Sequence, residues 1–249
     1  NDNKNFATVG HDFIEITDIE RITGLRTFSG YNGAINSITF NLDGKYFATG
    51  GSDNLIRIWE MNTGKTLKVL NGHNRPINFI SYSPENRTLA SASSDTTVKI
   101  WQLVNNSITE NNTSTFSVNP NENITYKTLL SHLDIVNSLA YSNDGKYLAT
   151  ASKDKTIKIW EVETGYEIKT LTGHTDSVNT VTFSKDNKTV ISGSSDRSVK
   201  FWNLESGNNF RTITEFKDAV NSLSVSFDGS LLAAGSSDKS IRIWKLSGS

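Results

Sequence analysis

Twenty-two residues separate His73 from Asp95, His132 from Asp154 and His174 from Asp196, and six more lead from each Asp to Trp101, Trp160 and Trp202. The six-residue step also joins Asp53 to Trp59 and Asp238 to Trp244, so all five tryptophans obey one rule. Their separations are 42, 59, 42 and 42, which places an insertion of 17 residues in one interval. A chain that returns to the same pattern at a fixed period is an array of one small unit. The 35% hydrophobic content across 249 residues suits many thin layers better than one large core.

Within each unit the runs are short, β-branched and alternating. The unit ending at Trp59 contains Ile35–Phe40, a turn at Leu42-Asp43-Gly44-Lys45, then Tyr46–Thr49, Asp53 and Ile56–Trp59. Asp-Gly between two such runs predicts a hairpin, and it recurs at Asp144-Gly145 and Asp228-Gly229. Thr63-Gly64, Thr164-Gly165 and Ser206-Gly207 mark the unit's other hairpin. Leu25–Ser29 reads as an outer strand, and Phe6–Gly10 with Phe13–Thr17 as a degenerate partial unit beginning at its second strand.

A period in the low forties, four strand-like runs per unit and Gly-His ahead of a closing Trp resemble the WD-repeat family of β-propellers. The departure is that no Trp is followed by Asp; Glu60, Gln102, Glu161, Asn203 and Lys245 stand there. The resemblance implies an all-β propeller of four-stranded antiparallel blades. About five and a half repeats are present, expected to form part of a seven-bladed ring truncated at the N-terminus. The expected organisation is one domain over 1–249, with a partial repeat 1–24, repeats 25–64, 65–104, 126–165, 166–207 and 208–246, and an Asn-rich insertion at about 105–123. The insertion is expected between the third and fourth strands of its unit. Its composition is that of an excursion too polar to offset its ordering entropy. Gly-His-Thr-Asp-Ser-Val (173–178) resembles bacterial-type arrays, which implies an upstream effector domain in the natural chain.

Charge and composition narrow the partners. With 25 basic and 26 acidic residues the chain has no general attraction for nucleic acid or an anionic membrane. The absence of cysteine rules out disulfides and thiolate chemistry. No apolar run reaches the roughly 20 residues of a membrane span, and the first residues are not a signal peptide. The expectation is a cytoplasmic chain whose start lies upstream, acting without a cofactor or metal.

Three units carry a set that resembles the family's buried hydrogen-bonded chain: His73-Ser91-Asp95-Trp101, His132-Thr150-Asp154-Trp160 and His174-Ser192-Asp196-Trp202. Ser, His and Asp together imitate a hydrolase triad, but repetition in successive units reads as scaffolding, since catalysis needs an exposed hydroxyl beside an oxyanion pocket. Tyr31 and Phe216 replace His in the first and fifth units, and Ala234 replaces the hydroxyl in the fifth. Asp53 and Asp238 are therefore expected to bond backbone N–H groups of their own turns. His11 is the one remaining histidine. The basic column Arg57, Lys99, Lys158, Lys200 and Arg242, two residues before each Trp, is expected to lay its stems on apolar surface with its heads in water.

One further column is invariant: Asn36, Asn78, Asn137, Asn179 and Asn221, each after Ile or Val. Strand alternation turns these amides away from the core, and the resemblance places them at the mouth of a central channel, bordered by Tyr31, Arg75, Lys153 and Phe216. Two readings of the ring stand: amides tying inner strands through water, or a recognition site for a partner's tip. The function expected is a non-catalytic scaffold or sensor that binds a protein or peptide. The alternative is a hydrolase-like propeller enzyme with its active site over the channel.

Overall fold

Alternating β-branched runs closed by Asp-Gly and Thr-Gly turns leave the backbone one economical way to pair, strand against sequence neighbour. The computed structural model describes residues 5–9, 13–18, 23–28, 32–103 and 124–246. Among these, all 22 regular elements are strands. Six meanders result, with sequence-adjacent strands hydrogen-bonded in antiparallel pairs. The first joins β1 (Asn5–Val9), β2 (Ile14–Asp18) and β3 (Thr23–Phe28). The second joins β4 (Ile35–Phe40), β5 (Tyr46–Gly51), β6 (Leu55–Glu60) and β7 (Thr66–Asn71). The third has β8 (Ile77–Tyr82), β9 (Thr88–Ser93), β10 (Val98–Gln102) and β11 (Tyr126–Leu129). The fourth is β12 (Val136–Tyr141), β13 (Tyr147–Ser152), β14 (Ile157–Glu161) and β15 (Glu167–Leu171). The fifth is β16 (Val178–Phe183), β17 (Thr189–Ser194), β18 (Val199–Asn203) and β19 (Asn209–Ile213). The last described strands, β20 (Val220–Val225), β21 (Leu231–Ser236) and β22 (Ile241–Lys245), form the sixth.

The chain divides into two compact units, Asn1–Asp95 with Ile100–Tyr126, and Thr96–Lys99 with Lys127–Ser249. In each, the core lies between neighbouring sheets. Ala48, Ile56 and Ile58 of one sheet meet Ile77, Ile80, Leu89 and Trp101 of the next in the first unit. In the second, Ala149, Ile157 and Ile159 meet Val178, Val181, Val190 and Trp202. Each thin sheet thus buries its apolar face on its neighbour, as the low hydrophobic content requires.

The expected strands at Phe6–Gly10, Phe13–Thr17 and Leu25–Ser29 correspond to β1, β2 and β3, each displaced by a residue or two. The 17-residue insertion falls between β10 and β11, third and fourth in their sheet. Residues 104–123, His11 and Tyr31 lie outside the described residues.

One turn repeats with little variation. The residue after each repeat Asp is left-handed: Asn54 (φ 68°), Thr96 (70°), Lys155 (71°), Arg197 (67°) and Lys239 (69°). The Asp carboxylate makes this turn by accepting the N–H two residues on, as in Leu55 to Asp53 at 3.2 Å and Thr156 to Asp154 at 2.9 Å. Asn tolerates this region, whereas a β-branched Thr is strained in it. Thr96→Asn is therefore expected to stabilise the chain by about 1 kcal/mol, read as a higher denaturant midpoint with unchanged slope.

Candidate functional site

His, Ser/Thr, Asp and Trp come from four places in a unit and meet beside one hairpin. His73 Nδ1 lies 2.8 Å from Asp95 Oδ2 and its Nε2 lies 2.7 Å from Ser91 Oγ, which accepts the Trp101 indole N–H at 2.9 Å. His132, Asp154, Thr150 and Trp160 repeat this at 2.7, 2.8 and 2.9 Å. His174, Asp196, Ser192 and Trp202 do so at 2.7, 2.8 and 2.8 Å. A carboxylate only accepts, so Nδ1 carries the proton; indole only donates, so the hydroxyl accepts from Trp and faces the imidazole with its own hydrogen. The glycine before His73 and His174 has a steric cause, although Ser131 stands before His132. A Cβ on Gly72 would stand 2.9 Å from the Trp101 ring, and one on Gly173, at φ 145°, 3.2 Å from that of Trp202.

Hydrolysis requires what this arrangement closes off. Ser91, Thr150 and Ser192 are 0% exposed, and each hydroxyl is already held by both an indole and an imidazole. No substrate carbonyl can approach such an oxygen. Among the described residues no three of His, Asp and Glu gather in a way that could hold a metal ion.

The carboxylates are held ionised. Burial opposes the charge of Asp196 most strongly. Hydrogen bonds from His174, the Ser198 hydroxyl and the Thr175 N–H, with the attraction of His174, outweigh burial and hold the carboxyl well below its ordinary range. Asp154 is depressed likewise, burial being opposed by His132, Thr156 and Leu133 N–H.

Where His is absent, Arg partners the carboxylate instead. Arg57 reaches Asp53 at 2.7 Å. Arg242 lies 4.0 Å from Asp238 with its guanidinium 4.5 Å above the Phe216 ring. Their own turns supply N–H groups as expected, Leu55 to Asp53 and Ser240 to Asp238; Asp238 also takes the N–H of Lys217 from the preceding loop. The expectation that the basic heads sit in water fails for Lys99 and Lys158. Lys99 and Lys158 are buried, and the heads bond the outer strand: Lys99 to Thr128 at 2.8 Å, Lys158 to Glu167 at 3.1 Å and Thr170 at 2.9 Å, Lys200 to Thr212 at 3.3 Å. Register is the reason, since Lys158 pairs across from Thr170 and Lys200 from Thr212.

All five Asn occupy a bulge in the first strand of their sheet, between Ile35/Ser37, Ile77/Phe79, Val136/Ser138, Val178/Thr180 and Val220/Ser222. A bulge adds one unpaired residue and re-aims its side chain. The amides then reach the next sheet directly. Asn36 donates to Ile77 O at 2.8 Å, Asn137 to Val178 O at 2.9 Å and Asn179 to Val220 O at 3.1 Å, with no bridging water needed. Second donors go to serines: Asn78 to Ser94, Asn137 to Ser177, Asn179 to Ser195 and Asn221 to Ser237, at 2.7–3.1 Å. The amides therefore do not offer two open donors each.

Of the bordering residues, Arg75 and Lys153 are exposed. Arg75 stands where Asp134, Asp176 and Asp218 accept the following N–H at 2.7 Å; it precedes Pro76, which has no N–H to satisfy. Phe216 is not on the border. It is 5% exposed and meets Trp244 edge-on at 5.8 Å, in the ring slot that His174 fills against Trp202. The serine before four of the five repeat Asp (52, 94, 195, 237) is a further column visible in the repeat, Lys153 standing in the fifth place.

Two outcomes test the network. Trp202→Phe is expected to cost about 1–3 kcal/mol beyond the lost apolar area, because a buried hydroxyl loses its donor. Trp244→Phe, facing Ala234, is expected to cost the area alone; equal falls in denaturant midpoint would refute the difference. The depressed Asp196 pKa means that the native state binds fewer protons than the unfolded chain at low pH. Its contribution is complete above the ordinary value of about 3.9 and lost as pH falls through the lower folded value. Asp196→Asn is thus expected to lower stability at pH 7 and to flatten the acid limb, the two curves converging below pH about 4 in chemical denaturation.

Comparison with known proteins supplies relatives. The family model described as WDR41, a β-propeller model, matches residues 107–247, and the one described as WD domain, G-beta repeat, matches 23–60 and 64–102. Protein HIRA of Dictyostelium discoideum is 30% identical over 128 residues, covering 51% of this chain and 7% of that protein. A chromatin assembly factor 1 subunit from Gallus gallus is 27% identical over 144 residues, 58% of this chain and 19% of the relative. Target of rapamycin complex subunit LST8 of Saccharomyces cerevisiae is 29% identical over 65 residues, 25% of this chain and 22% of the relative. The chain thus spans at most 22% of the length of these relatives.

Proposed function

This chain belongs to the WD-repeat β-propeller family, and we propose that it is a non-catalytic scaffold that docks a protein or peptide at the channel mouth and on the loops of its Gly-His side. The observation that carries the reading is the closure of every Ser/Thr-His-Asp set. All three hydroxyls are inaccessible and doubly held, so the groups that imitate a triad are spent on rigidity. Beside these sets the loops present side chains with no such duty: Arg75, Leu133, Lys153, Lys155 and Lys217 are exposed. Two of the relatives are named as subunits of an assembly factor and of a complex, which agrees with a docking role. A rigid frame with exposed, varied loops is the usual division of labour in a recognition module.

The hydrolase alternative has no open hydroxyl among these sets to support it. A cytoplasmic setting and an upstream effector domain belong to the same proposal. The purified chain is expected to turn over no member of a panel of ester, phosphoester and glycoside substrates; turnover abolished by Ser192→Ala would overturn the scaffold reading. In cross-linking from its native cells, the set of captured proteins is expected to change with Arg75→Glu and Lys153→Glu at unchanged melting temperature. A capture profile indifferent to both would move the docking surface elsewhere.

A further inference from the structure

The knot at the β13–β14 hairpin differs from its four counterparts in what it carries outward. Asp154 accepts His132 Nδ1 at 2.7 Å, Leu133 N at 3.0 Å, Thr156 N at 2.9 Å and Thr156 Oγ1 at 2.6 Å, so its charge is turned inward and consumed. The residues on either side of it, Lys153 and Lys155, are both exposed, and neither has an ion pair among the described residues. The residue before Asp is serine in the other hairpins (52, 94, 195, 237), and the residue after it is Asn54, Thr96, Arg197 or Lys239. This hairpin alone bears two cations. Leu133, whose backbone sits on Asp154, is 90% exposed. Its counterparts Asn32, Asn74, Thr175 and Lys217 are all polar.

None of the three side chains serves the fold. In sister sheets the serine before Asp takes the Asn amide, as Asn179 gives Ser195 at 3.0 Å. With Lys153 in that place Asn137 bonds Ser177 of the neighbouring sheet instead, at 3.0 Å, and the row is complete without the lysine. Lys155 occupies a left-handed position (φ 71°) better suited to Asn. An apolar side chain left in water and two exposed lysines without an ion pair among the described residues therefore spring from residues joined at or next to one carboxylate, that of Asp154.

We propose that Leu133, Lys153 and Lys155 form the anchor of the docking surface and take a partner protein segment in which carboxylates flank a large apolar residue. The inference rests on the scaffold reading and names the partner's chemistry. Leu133 supplies apolar contact at the centre, and the lysines on either side of Asp154 supply charge for two acidic side chains. Such rim charges set specificity and association rate, and the exposed leucine supplies desolvated area.

The test pans a random peptide library displayed on phage against the whole chain and against the variant Leu133→Thr, Lys153→Ser, Lys155→Asn. Each new residue already stands at the matching position of a sister sheet (Thr175, Ser195, Asn54), so the variant is expected to melt with the parent. Should it melt early, Lys153→Ser alone carries the comparison. Enriched peptides are expected to hold Asp or Glu on both sides of Leu, Ile or Phe, and synthetic copies to bind the variant at least tenfold more weakly. Exchange of their acids for Asn or Gln is expected to cause the same loss. Enriched peptides without acids, or peptides held equally by the variant, overturn this proposal and leave the scaffold reading intact. No enrichment over a bare surface overturns both. A single-stranded oligonucleotide that binds the chain and is lost on the variant overturns the commitment to a protein partner.

Discussion

A carboxylate at a hairpin tip has two oxygens and room for about four hydrogen bonds, and each repeat Asp distributes them in two directions. In Asp154, Asp196 and Asp238 one oxygen fixes its own turn by taking the N–H two residues on, and the other takes an N–H from the preceding loop, of Leu133, Thr175 or Lys217; Asp95 takes that of Asn74. That second bond survives in the sheet of Phe216, where no imidazole is present. The constant of the unit is therefore the Asp, and His is one of two ways to finish it, Arg being the other. Charge-assisted bonds to a half-buried carboxylate are among the stronger ones available to a chain with thin layers.

Between sheets the corresponding constraint is the bulge. It interrupts the ladder after an Ile or Val, and the Asn of the preceding sheet donates to the carbonyl of that residue, as Asn137 does to Val178 and Asn179 to Val220. Apolar packing between faces is tolerant of sliding, whereas an amide-to-carbonyl bond fixes offset and orientation. The same residue that the bulge turns aside in one sheet thus sets the position of the next.

Much of this was legible in the sequence because the repeat itself is a measurement: 22 residues from His to Asp and six to Trp leave room for two strands and two turns. The buried sets at Trp101, Trp160 and Trp202 could be named residue by residue from that frame. The Asn column was visible too, but period-two alternation cannot register an extra residue in a strand, so its bonds to the next sheet were not foreseen. The heads of Lys99 and Lys158 were misjudged because their partners, Thr128 and Thr170, lie on the outer strand, and strand register is a property of the pairing. Phe216 was placed at the border by its position in the repeat, although a phenyl ring in place of imidazole keeps the same buried slot.

The connection between β10 and β11 is closed at its base by Gln102 N donating to Thr125 O at 2.8 Å, and Leu103 N is held on the β9 side by Arg87 O at 2.9 Å. Chain leaving the sheet after Leu103 must return at Thr125, whatever its length. Each doubling of such a loop adds only roughly 0.6 kcal/mol of closure entropy, so the sheet is indifferent to what is threaded there. For a protein engineer this is a port: a fluorophore tag, an epitope or a whole folded cargo spliced at that position would be tethered by both ends to a rigid strand pair, away from the hairpin tips that hold the unit together.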